Sequence, residues 1–233
     1  MESAINELYE KADECYGYKI GDQIQVNGID FYVIADSPAT QDYVVALKAE
    51  PLTVSQVNTY GGVGTANNHV NKYDAYTVGH AYNKNGYGAL SYYSSESCGL
   101  VNGEIVNTGC ITDYDESDIK FIVDAWANDV LNNTNLKVVD GYSVRLIKDI
   151  ELETFGYGFI GNGVVNVNAT VPTWVYDSQY AYWTMTPYPN HKFNVRVVRN
   201  QGTTQYHAVY RSYNSDTVRP VINVYKSAIE SKN

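Results

Sequence analysis

Apolar residues recur at helical spacing at the start of the chain and at strand spacing soon after. In residues 2–15, Ile5, Leu8, Ala12 and Cys15 fall on one side of a helix, with charged residues between them. This predicts a short N-terminal helix or linker over 1–16, followed by one domain over 17–233. Ile24-Gln25-Val26 then leads through Asn27-Gly28 into Ile29-Asp30-Phe31-Tyr32-Val33-Ile34. Asn-Gly accepts the positive φ angles of a two-residue turn, so these alternating runs predict a hairpin. Residues 42–48 supply a third strand of an antiparallel meander. Between 61 and 93, Gly, Asn, Tyr and Ser dominate without a sustained period, which reads as a long ordered loop.

The main helical period follows, with Ile119, Ile122, Val123, Trp126 and Val130 at intervals of three and four. Asp115 is its expected N-cap, Asp118 lies in its first turn, and Asn132-Asn133 ends it. A strand over 143–147 and a short helix over 149–155 come next, with Gly156 as a left-handed cap. Beyond Pro172 the apolar runs are short and bounded by Gly, Pro, Asn or Ser. They predict strands over 173–176, 181–185, 195–198, 205–210 and 219–224. Helices set among antiparallel strands predict an α+β fold. There is no internal repeat.

Composition narrows the function classes. Hydrophobic residues make up 44% of the 233 positions, charged residues 18%, and Tyr alone 23 positions, so the chain has enough large packing residues to bury a core. A net charge of −10 opposes phosphate neutralisation, and no Lys/Arg cluster offsets it, which argues against nucleic acid as a partner. No apolar run is long enough for a membrane-spanning helix. Cys98 and Cys110 flank Asn102-Gly103, a hairpin signal that would bring the two sulfurs together. The pattern predicts a Cys98–Cys110 disulfide, with two unpaired thiols as the alternative, and Cys15 is left over.

Signals for catalysis are poor. His69, His80, His191 and His207 are scattered without metal-ligand spacing. The acidic residues 113–118 lack the Gly and terminal Glu of an EF-hand loop and sit where a helix start prefers negative charge. No Gly-x-Ser-x-Gly elbow is present. The expectation is a non-enzyme with no cofactor and no metal.

Three segments carry a family likeness: Tyr182-Trp183-Thr184-Met185-Thr186, Asn194-Val195-Arg196-Val197-Val198 with a turn at Gly202, and Val218-Arg219-Pro220-Val221-Ile222-Asn223-Val224. Together with residues 27–34, 60–65 and 142–147, they resemble C-type-lectin-like domains of bacterial surface proteins. The resemblance implies a C-type-lectin-like scaffold with antiparallel strands, two or more helices and long ordered loops. It is also similar to the variable proteins of diversity-generating retroelements, whose contact positions lie in such a C-terminal region and favour residues reachable from Asn-type codons.

The likeness assigns a ligand-binding face to Tyr188, Asn190, His191, Asn194, Arg196, Arg199, Asn200, Gln201, Tyr206, His207, Tyr210, Tyr213 and Asn214. Its partner would be a protein or a glycan. Its setting would be extracellular or at the cell surface, with a phage-associated or cytoplasmic one as the alternative. An invariant adhesin or recognition module is the alternative function. The Glu-Pro-Asn, Gln-Pro-Asp and Trp-Asn-Asp motifs of calcium-dependent lectins are missing. So is the C-terminal cysteine pair of the related formylglycine-generating enzymes. Strand alternation sends Val195 and Val197 to the core and Arg196 to the exposed side, with residues 199–201 in the turn. Trp183 and Arg219 read as scaffold.

Overall fold

The computed structural model describes residues 17–36, 42–61, 100–101, 104–105, 114–115, 118–157, 171–176, 181–187, 194–199, 204–208 and 216–230. They form a mixed α+β fold with antiparallel sheets and few helices. The N-terminal helix, most of the 61–93 loop and both cysteines of the expected disulfide lie outside the described residues.

The expected meander is present. Strands β1 (Gln23–Val26) and β2 (Ile29–Asp36) pair antiparallel around Asn27 and Gly28, whose φ angles are +51° and +71°. Two consecutive positive φ values define the turn that matches strand twist, and Asn-Gly adopts them at low cost. Strand β3 (Tyr43–Lys48) pairs with β2 through a bulge between Val33 and Ala35. Strand β11 (Val221–Tyr225) then inserts between β3 and β6 (Val144–Arg145), giving the order β1-β2-β3-β11-β6.

A helix the sequence pattern did not predict, α1 (Val54–Gly61), follows β3. Its start is fixed reciprocally. The Gln56 backbone N–H donates to Thr53 Oγ1 at 3.2 Å, and the Thr53 N–H donates to Gln56 Oε1 at 2.9 Å. Helix α2 (Asp118–Val130) is the expected main helix. The Asp115 carboxylate accepts the Tyr142 hydroxyl, at 2.8 and 2.9 Å to its two oxygens. Helix α1 packs on α2, and the Tyr60 hydroxyl donates to Asp129 at 2.5 Å.

Short strands β4 (Leu100–Val101) and β5 (Glu104–Ile105) pair antiparallel across the Asn102-Gly103 position, as the turn chemistry predicts. Helix α3 (Asp149–Glu153) ends near Gly156, which takes φ +89° as the expected left-handed cap. The expected strand over 173–176 is instead a 3-10 turn, Thr173–Val175. A second sheet has the order β10-β7-β8-β9, made of β7 (Ala181–Pro187), β8 (Asn194–Val198), β9 (Thr204–Ala208) and β10 (Asp216–Thr217). Only the β10–β7 pair is parallel.

Two apolar clusters flank these strands. One gathers Phe31, Val44, Ile222 and Val224 with the α2 face of Ile119, Ile122, Val123 and Trp126, and it also takes Trp183 and Val197. The other gathers Ile34, Leu47 and Val221 with Leu152, Phe155 and Tyr157, and it takes Tyr182 and Val198. Consecutive residues of β7 and of β8 therefore feed opposite clusters, so both faces of these strands are buried where they cross the core.

Candidate functional site

The predicted recognition positions centre on the β8–β9 hairpin. Asn194, Val195, Arg196 and Val197 of β8 sit opposite Ala208, His207, Tyr206 and Gln205 of β9. The register thus brings Asn194, Arg196, Tyr206 and His207 onto two adjacent strands. Arg199 lies just beyond β8 and is exposed. Tyr188, Asn190, His191, Asn200, Gln201, Tyr210, Tyr213 and Asn214 fall outside the described residues.

Arg196 departs from expectation, because it is 5% exposed and not a surface residue. Simple alternation assumes that one face of a strand meets water. Here the start of α3 meets that side of β8. Arg196 Nε stands 3.0 Å from Asp149 Oδ2, at the first residue of α3. The Asp149 backbone N–H donates to Thr186 Oγ1 at 3.2 Å, and Thr184 Oγ1 donates to the Arg196 carbonyl at 3.0 Å. Helix start, strand and counter-charge are thereby locked together. Burial pushes the Asp149 carboxyl up to about 6 despite the opposing pull of Arg196. Arg196 therefore serves the scaffold beneath the hairpin. Trp183, wholly buried, does as the sequence predicts.

A second constellation, which sequence reasoning missed, surrounds Arg219. This guanidinium is 2% exposed and donates to four main-chain carbonyls. Nε reaches Lys48 O at 2.7 Å and Nη1 reaches Val175 O at 2.9 Å, while Nη2 reaches Ala49 O at 2.7 Å and Trp174 O at 2.8 Å. The expected scaffold role of Arg219 thus has a concrete form: it ties the end of β3 to the 173–175 turn. The Tyr182 hydroxyl also donates to Val175 O, at 2.5 Å, and the guanidinium lies 5.3 Å from the Tyr182 ring centroid.

Between the two tied segments opens a cleft of about 330 Å³, lined by Tyr32, Ala49, Glu50, Thr173, Trp174, Tyr176 and Arg219. Trp174 stacks on Tyr32 with centroids 5.1 Å apart and meets Phe155 edge-on at 5.2 Å. Gly21, at φ +94°, backs the indole so closely that a Cβ there would lie 3.3 Å from its Nε1. Buried Lys48, next to the lining residues Ala49 and Glu50 in the chain, donates from Nζ to the Glu50 carbonyl at 2.7 Å. Burial lowers this ammonium to about 8, with the charge of Glu50 opposing and that of Arg219 reinforcing the shift.

Among the described residues no group of three or more His, Cys, Asp or Glu side chains is placed to hold a metal ion. None of their helices is long and apolar enough to cross a membrane. Comparison of the chain with known protein families, curated proteins and solved structures returns no match.

Proposed function

We propose that the chain is a non-catalytic ligand-binding protein of C-type-lectin-like architecture, with a Tyr/Asn/Arg-rich recognition face that a retroelement diversifies. The observation that carries this reading is the contrast along β8. Residues 196–198 are buried, and the strand then emerges at exposed Arg199, in a stretch that carries Asn200, Tyr206, His207, Tyr210, Tyr213 and Asn214. A strand held on both sides fixes the ends of the segments it joins, so residues in those segments can change without disturbing the core. Tyr gives contact area with few torsions to freeze, and Asn, Ser and His add adaptable polar contacts.

The placement of β11 between β3 and β6, and the bridge between Gln25 and Glu230, support the proposed architecture by joining early and late parts of the chain in one sheet. Arg196 leaves the face and joins its support. The partner is a protein or glycan surface, and the setting is extracellular or at the cell surface.

Two measurements test the reading. Sister copies of the gene should differ mainly within 188–216, at adenine-bearing codons, beside a reverse transcriptase and a near-duplicate template. An unvaried gene without those neighbours would instead identify an invariant adhesin. In a screen against glycans and bacterial surface proteins, the Arg199→Ala, Tyr206→Ala, Tyr210→Ala chain should bind at least about tenfold more weakly than the intact chain, a loss of roughly 1.4 kcal/mol. Equal binding by both chains rejects the face.

A further inference from the structure

The cleft beside Arg219 has the attributes of a preformed small-ligand site. Its volume of about 330 Å³ falls within the roughly 300–1,000 Å³ usual for such sites. Its two walls are held before any ligand arrives, because one buried guanidinium binds carbonyls from both. Tyr32, Trp174 and Tyr176 stay only partly buried around it, although the core beneath is closely packed. The hydroxyls of Tyr and Thr173 and the carboxylate of exposed Glu50 provide donors and acceptors among apolar ring surface.

The charges select the ligand class. Glu50 at the rim opposes an anion. The guanidinium of Arg219, in the lining, opposes a cation. A neutral molecule with C–H patches and edge hydroxyls matches both the charge balance and the mixed lining, and a sugar ring has this form. We propose that the cleft is a metal-independent binding site for a neutral hexopyranose, with the aromatic side chains against its C–H surface and Glu50 accepting from its hydroxyls. The cleft shares no residue with the β8–β9 face, so the two sites stand or fall separately.

Trp126 and Trp183 are wholly buried, which leaves Trp174 as the indole able to sense an occupant. The intact chain would be titrated, in EDTA, with the methyl glycosides of glucose, galactose, mannose and N-acetylglucosamine. Methyl glucuronide and glucosamine serve as charged comparators. At least one neutral glycoside should give a saturable fluorescence change and binding at least about tenfold tighter than either charged analogue. Glu50→Ala and Tyr176→Ala should each weaken it about tenfold with the unfolding midpoint kept. If Tyr176→Ala misfolds, the exposed Glu50→Gln change carries the test. Saturation-transfer NMR on the same glycosides reads binding independently of the indole. The site is overturned by no saturable response in either measurement, by tighter binding of a charged analogue, or by indifference to the Glu50 substitutions.

Discussion

Arg196 and Arg219 are both buried, yet the molecule accommodates them in opposite ways. Arg219 is surrounded by four carbonyl oxygens, which are dipoles that carry no proton to lose or gain. Arg196 faces a carboxylate whose charge depends on pH. The first arrangement ties main chain to main chain and is fixed at any pH in the physiological range. The second ties a helix start to a strand by a charge that can be switched off. A buried guanidinium is therefore not one structural device but two, and the atoms around it decide which.

The sharpest way to break this comparison is to remove each cation. Arg219→Lys leaves several buried carbonyls without donors, since one ammonium cannot span both segments. It should lose about 3–5 kcal/mol in denaturant unfolding. Arg196→Met should cost less, on the order of 2–3 kcal/mol at pH 7.5, because Asp149 escapes by taking a proton. That cost should shrink as pH falls towards 5. Equal, pH-independent losses for the two variants would erase the distinction.

The next effect is the pH dependence itself. The Asp149 pKa is raised from 3.8 to about 6, so between those values the folded state holds more protons than the unfolded one. Its contribution to stability is gained as pH falls through this window and lost as pH rises through about 6. Lys48 has the opposite sign. Its pKa is lowered from 10.5 to about 8, so the unfolded state holds more protons there, and stability is gained as pH rises through that alkaline window. Melts across pH 4.5–9.5 should show Asp149→Asn flattening only the acid segment and Lys48→Met only the alkaline one. An unchanged acid slope in Asp149→Asn would remove Asp149 as its source. The smallest effect belongs to Arg199, exposed at the end of β8, where Ala should alter stability by no more than about 0.5 kcal/mol.

Much of the scaffold was legible because local chemistry and tertiary structure agree. Asn27-Gly28 predicts its own hairpin, the period from Ile119 to Val130 predicts α2, and Gly156 predicts the end of α3. Helix α1 carries Val, Asn, Thr and Tyr and has a weak helical pattern, but Thr53-x-x-Gln56 is a capping box that would have located it. Asp140-Gly141, with φ values of +51° and +87°, is a second two-residue turn of the same kind, closed by the bridge between Val139 and Tyr142.

The turn at Thr173–Val175 was misread as strand because β-branched and aromatic residues dominate it. Its shape follows from a distant donor, Arg219, that local sequence cannot reveal. The burial of Arg196 was hidden for the same reason. Alternation gives the face of a strand but not what covers that face, and the cover comes from Asp149, far away in sequence. The aromatic cleft likewise joins residues from four separate segments.

The position of β11 also sets the order of events during synthesis. Until residues 221–225 leave the ribosome, β3 lacks one neighbour and β6 lacks the strand it pairs with, so the first sheet exists only as a meander with an open edge. That edge bears Val44, Ala46 and Leu47, all wholly buried in the finished fold. The nascent chain must therefore shield an adhesive strand through most of its translation, and folding completes only when its last described strand slides between two partners made long before.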